Sequence, residues 1–298
     1  MPRDWEAQFR LWAKPPGQTE QDRCDNALSA IRNAMKASDK LRARGVSIFA
    51  QGSYRNNTNV RKDSDVDIGI LCTDTVFLDL PEGTTRETFR IEPATYKYDQ
   101  FKNEVEAALV DYFGRAAVTR GNKAFDVHET SYHVEADVAA FFEHRRYQPN
   151  GTYLKGVELR TDREGNSVIN WPEQHYTNGC RKNTDTGTRF KSIVRVLKAL
   201  SSEMAEQGVR AGAIPGFLIE CLVWNVPNYR FQNSTYTADV EAALVFLYEH
   251  TKTDDLCREW GEVSELTYLF RPAQKWTCEQ ANAFTVAAWN HAGLAGQA

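Results

Sequence analysis

The sequence predicts an α+β protein: a mixed sheet with flanking helices, then an all-helical lobe, with a substrate site in the cleft between them. Two patterns predict it. In residues 1–180, short apolar alternations are interleaved with amphipathic stretches of helical spacing. Their order of strand, strand, helix, strand, strand is that of a mixed sheet with helices on one side. In residues 181–298 the apolar residues recur at three- and four-residue spacing, the mark of helices. A chain of 298 residues can give each part a core of its own, so the patterns read as two lobes.

The first lobe opens with a bracing helix over residues 19–41, where Cys24, Ala27, Leu28, Ile31, Ala34 and Met35 share a face and Gly45 follows. Ser47, Ile48, Phe49 and Ala50 make a strand that ends at Gly52 and Ser53. Val66, Ile68 and Ile70 alternate with Asp65, Asp67 and Gly69 as a second strand. Residues 77–95, rich in Pro, Gly, Thr and charge, read as a loop, and residues 98–113 resume helical spacing through Phe101, Val105, Ala108, Leu109 and Tyr112. A strand is expected at 124–127 and another at 133–141. In the latter, Val134, Ala136 and Val138 point one way and His133, Glu135 and Asp137 the other. Residues 151–185 are polar, broken by Gly151, Gly165, Pro172 and Gly179, and hold a hairpin around Arg163-Glu164-Gly165-Asn166, with the lobe boundary near their end. Beyond it lie four helical stripes: Phe190, Val194, Leu197 and Leu200; residues 217–226; Val240, Ala243, Leu244 and Leu247; and residues 278–289.

The chemistry concentrates where the first two strands meet. At Gly52-Ser53 a missing Cβ and a small hydroxyl let backbone N–H groups approach an anion closely, as a triphosphate tail requires. Gln51 and Tyr54 flank that turn, placed to touch a base or ribose or to serve the strand end. Separated from Ser53 by eleven residues, Asp65 and then Asp67 project from one face of a strand and can share Mg²⁺, a hard ion that combines carboxylates with phosphate oxygens and water. Asp63 also precedes Asp65 by two residues, but it follows Arg61-Lys62 and belongs to the loop. A two-metal site needs a further carboxylate from a neighbouring strand. Asp137, mid-strand, is the choice, with Glu135 as the alternative.

These segments resemble the DNA polymerase β nucleotidyltransferase superfamily, and within it the bacterial CD-NTases, the cGAS/DncV-like synthases of CBASS antiphage systems. The resemblance rests on Gly52-Ser53 with Asp65 and Asp67, on Val134-Glu135-Ala136-Asp137-Val138, and on the helical segments 189–198 and 214–223. It implies a polymerase β-like fold. Asp65, Asp67 and Asp137 would hold two Mg²⁺ ions, with Mn²⁺ as a substitute. It also implies that a lysine at the start of the second lobe meets the triphosphate. Lys191 matches that position best and Lys198 lies two turns on, although such a helix face is more often simply solvated. Asn166, Asn170, Trp171 and His175 fall where related synthases place base-reading residues; Trp171 beside Pro172 reads equally as a core anchor.

The implied activity joins two or three nucleoside triphosphates into a cyclic oligonucleotide, a second messenger for a separate effector, releasing pyrophosphate at each step. The rivals are nucleotide transfer to another acceptor, such as an antibiotic, a protein or an RNA end, and a catalytically inert nucleotide sensor. The tail Ala292-Gly293-Leu294-Ala295-Gly296-Gln297-Ala298 reads as a frayed end, or, by the family's habits, as a conjugation site for a CBASS partner.

Bulk properties narrow the field. A net charge of −4 and a pI near 5.9 provide no basic field for long nucleic acid. No apolar run approaches membrane-spanning length, and the N terminus lacks a secretory signal, so a cytoplasmic protein is expected. Six scattered cysteines, Cys24, Cys72, Cys180, Cys221, Cys257 and Cys278, predict reduced thiols rather than a disulfide framework or a structural zinc site.

Overall fold

The computed structural model describes residues 3–60, 65–128, 135–271 and 274–294. Asp63, His133, Val134 and the last four residues of the tail lie outside the described residues. The chain divides into a sheet unit, Gly17–Tyr54 with Asp63–Pro172, and a helical unit, Met1–Pro16 with Arg55–Lys62 and Glu173–Ala298. The expectation of a sheet lobe over 1–180 and a helical lobe over 181–298 therefore meets a division near residue 172. Two short segments from the first half also join the helices.

In the sheet unit, helix α2 (Gln18–Ala37) buries Cys24, Ala27, Ile31, Ala34 and Met35, the stripe read from the sequence. Strand β1 (Val46–Ala50) pairs antiparallel with β2 (Val66–Asp79). Helix α3 (Tyr98–Phe113) then carries the chain over to β3 (Val118–Arg120), β4 (Phe125–Val127) and β5 (Ala136–Tyr147). The sheet order is β1-β2-β5-β4-β3; beyond β4, the far half of β5 pairs with β6 (Tyr153–Arg160), which pairs with β7 (Ser167–Asn170) as the expected hairpin. Among the described strands only β2 and β5 pair in parallel, and the connection between them runs through α3, β3 and β4.

The even residues of β2, Val66, Ile68, Ile70 and Cys72, are fully buried with α2 and α3, so the odd residues, Asp67 among them, take the other face. A one-residue slip would put Asp67 into the apolar core, which fixes the register. An irregularity between Cys72 and Val76 lets β2 run on to Asp79, past the point where the sequence suggested a loop.

The helical unit is built around α5 (Arg189–Glu206), whose stripe Phe190, Val194, Leu197 and Leu200 is fully buried. Around it pack α1 (Trp5–Trp12), α4 (Pro172–Asp185), α6 (Gly216–Asn225), α7 (Tyr236–His250) and α8 (Cys278–His291). Helix α1 escaped the sequence reading. It is capped by Asp4, and its Phe9 joins this core, so the N-terminal residues belong to the helices. Helix α4 occupies what reads as a polar linker. Its Pro172 stands at the first helical position, which proline favours, and its buried residues His175, Gly179 and Lys182 are polar or small, leaving no apolar period to see.

One expectation about the cysteines is corrected. Cys257 and Cys278, 21 residues apart, are joined as a disulfide where the one-turn helix Asp254–Cys257 meets the start of α8. Cys24, Cys72, Cys180 and Cys221 are free thiols. Among the described residues no helix is long and apolar enough to cross a membrane.

Candidate active site

The sheet register assembles the site. Gln51 continues the β1–β2 ladder by donating its N–H to the Asp67 carbonyl at 2.9 Å, after which the chain turns through Gly52 at φ +66° into the one-turn helix Gly52–Arg55. A side chain at Gly52 would run into the Asp67 carboxylate, so turn and carboxylate lie in van der Waals contact only because residue 52 is glycine. Tyr54 donates its hydroxyl to the Gln21 carbonyl at 3.0 Å. Burial, then the neighbouring Cys24 thiol, push that hydroxyl far above its ordinary pKa. Tyr54 thus ties the turn to α2.

Asp67 stands opposite Asp137 in the parallel β2–β5 register. Asp65 precedes β2 by one residue and is exposed, while the next residue, Val66, donates its N–H to the Glu135 carbonyl at 2.9 Å. The carboxyl of Asp137 is pushed up to about 7, by burial first and then by the charges of Asp67, Asp65 and Asp126. Asp65, though exposed as a residue, is raised by partial desolvation of its carboxyl first, then by the charges of Glu135 and Asp126. Glu135, the alternative third acid, instead accepts from or pairs with His128, its Oε1 3.0 Å from Nδ1.

Asp126 was missed by the sequence reading. It lies on β4 directly opposite Asp137 in the antiparallel β4–β5 register, between the buried Phe125 and Val127. The alternation was visible in the sequence, but the pairing of that strand with β5 was not.

A divalent cation suits this donor set: its members are hard carboxylate oxygens, and the charged groups that raise the Asp137 carboxyl are themselves acids. Among the described residues, no group of three or more His, Cys, Asp or Glu side chains is arranged to hold a metal ion.

Asn166 and Trp171 also belong to the sheet unit. Asn166 is exposed in the β6–β7 turn, its N–H bonded to the Thr161 hydroxyl at 2.9 Å. Trp171 is 4% exposed, with the Arg146 guanidinium 4.6 Å from its ring centroid and His144 edge-on, a core anchor.

In the helical unit, Lys191, Arg195 and Lys198 of α5 are buried, not a solvated face, and Arg189 is half-buried. Lys191 donates its Nζ to the Cys180 sulfur at 3.3 Å. Arg195 holds the carbonyls of Ala13 and Asn57. Lys198 Nζ lies 3.2 Å from Glu220 Oε2 and bonds the Thr58 hydroxyl at 3.1 Å. His175 reaches the other Glu220 oxygen at 2.9 Å. Burial alone would raise the Glu220 carboxyl, but Lys198, His175 and Thr58 together hold it well below the ordinary range. Thus Lys198 and His175 anchor the segment that follows the Gly52 turn.

The helical region, residues 177–293, matches the family model of the cGAS/DncV-like nucleotidyltransferase C-terminal helical domain. Over nearly its whole length the chain is 43% identical to the cyclic dipyrimidine nucleotide synthase CdnE of Cecembia lonarensis, covering 96% of this chain and 97% of that one. The chain belongs to the CD-NTase family of cGAS/DncV-like nucleotidyltransferases. A second cyclic dipyrimidine nucleotide synthase CdnE, from Legionella pneumophila, is 42% identical across 97% of this chain and 98% of that one. Among solved structures, the Rhodothermus marinus CdnE c-UMP-AMP synthase with Apcpp and Upnpp superposes with a TM-score of 0.87 at 28% identity, covering 98% of each chain. These likenesses bear out the family and the fold read from the sequence motifs.

Proposed function

We propose that this CD-NTase joins two nucleoside triphosphates into a cyclic dinucleotide, with pyrimidines among its bases, as the second-messenger step of CBASS antiphage defence. The observation that carries the reading is the side-by-side register of Asp67 and Asp137 next to the Gly52 turn, in a chain similar along its length to two cyclic dipyrimidine nucleotide synthases.

Asp65, Asp67 and Asp137 are the residues that would hold Mg²⁺, or Mn²⁺ in its place. When bound, the ions supply acidity to the attacking ribose hydroxyl and charge neutralisation at the departing pyrophosphate. The Gly52 amide and Ser53 would cradle the triphosphate. Lys191 is the basic side chain proposed for the β and γ phosphates. Each linkage replaces a hydroxyl proton and a pyrophosphate by one phosphodiester, and the second linkage closes the ring. The product then acts on a separate effector.

The test is incubation of the purified protein with the four labelled NTPs and Mg²⁺, then phosphatase treatment and mass spectrometry. A phosphatase-resistant cyclic dinucleotide containing UMP or CMP is expected. Asp67→Asn should abolish it while leaving the melting temperature within a few degrees of wild type. Linear products only, or label transferred to an added acceptor, would overturn the cyclase reading.

A further inference from the structure

We infer that Asp126 is a positioning residue of the divalent-cation site, holding the Asp137 carboxylate in place from the neighbouring strand; this rests on the metal-site reading above. Three features of the fold place it there. Asp126 and Asp137 are direct partners in the antiparallel β4–β5 register. In such a pair the two Cβ atoms are about 5 Å apart on one face of the sheet. Phe125 and Val127 are 0% and 1% exposed, so β4 cannot slip by one residue without exposing both and burying the carboxylate. The strand is held from the other side as well. The Lys102 ammonium, in a fully buried residue of α3, donates to the Asn122 carbonyl just ahead of β4 and sits 5.9 Å from the Phe125 ring.

The Asp126 charge acts on the carboxyls of both Asp137 and Asp65. Asp126 therefore faces two of the three proposed metal ligands. Like charges directly opposite each other across an antiparallel pair are destabilising. An aspartate fixed in this position works against the cation-free fold, and the opposition is relieved when a divalent cation takes up the charge of Asp137. Asp126 then restrains the Asp137 carboxylate from the side away from Asp67, as the outer partners of metal ligands do.

The experiment measures Mn²⁺ binding directly, by the electron paramagnetic resonance signal of free Mn²⁺, together with thermal melts with and without the ion. For Asp126→Asn, affinity for Mn²⁺ should fall about tenfold, the size of effect typical of such outer partners. The cation-free protein should melt at or above the wild-type temperature. A merely structural residue would give the reverse, a lower melting temperature and unchanged Mn²⁺ affinity, and that result overturns the inference. Asp126→Ser serves as the second variant if the amide misfolds, with the same expectations. Asp137→Asn is run in parallel. If it too leaves Mn²⁺ binding intact, the metal-site reading fails. If it weakens binding and Asp126→Asn does not, only the role of Asp126 fails.

Discussion

Gly52 and Asp67 are packed so closely that a side chain at position 52 would displace its neighbour: the place of a Cβ is taken by the Asp67 carboxylate. The positive φ of Gly52 adds a conformational preference to the steric one. In Gly52→Ala the carboxylate is the flexible partner, so it swings aside, and the loss should fall on activity more than on folding. We expect stability to drop by about 1–2 kcal/mol, the strain of an L-residue in the left-handed region. Pyrophosphate release should fall at least about tenfold, since a displacement near 1 Å can cost far more than that. Thermal melts and a coupled pyrophosphate assay read the two effects, and equal activity in the variant would refute the close coupling of turn and carboxylate.

How much of this was legible in the sequence depends on how local each feature is. The second strand was readable because Val66, Ile68 and Ile70 alternate with Asp65 and Asp67 within a few residues. Asp126 lies on a strand of three residues, and its meaning comes only from pairing with β5, which no local pattern reveals. Helix α4 was hidden because its buried stripe is His175, Gly179 and Lys182. The Lys182 ammonium ends on the carbonyls of Trp224 and Val226, some forty residues away. The burial of the α5 cations was hidden for the same reason. Their partners Ala13, Thr58 and Glu220 come from three distant segments.

Lys198 and Glu220 make a buried ion pair shared with Thr58 and His175, and removing one partner leaves the other charged in a dry environment. Lys198→Met should therefore destabilise the protein by about 3 kcal/mol or more. The double variant Lys198→Met with Glu220→Gln removes the stranded charge, and we expect it to recover more than half of the loss. Urea denaturation of the single and double variants gives both numbers. A Lys198→Met protein that melts normally but has a raised KM for NTP would instead make Lys198 a phosphate contact, as the family resemblance suggested.

Glu262 provides a pH dependence of known sign in the helical unit. Burial pushes its carboxyl up to about 7 from the ordinary 4.5, against the smaller opposing effects of His175 and the Gln274 amide, which lies 3.4 Å away. Between those two values the folded state holds a proton that the unfolded chain has released. The Glu262 contribution to stability therefore declines as pH rises from about 4.5 to about 7 and is flat above that. Glu262→Gln keeps the side-chain shape and cannot ionise. Relative to wild type it should be near neutral at pH 4.5 and more stable at pH 8, by about 2 kcal/mol once partial solvation of the side chain is allowed for. Denaturation of both proteins at the two pH values isolates the effect, because other titrating groups cancel in the difference. A stability difference that is the same at both pH values would show that Glu262 does not carry its proton into the folded state.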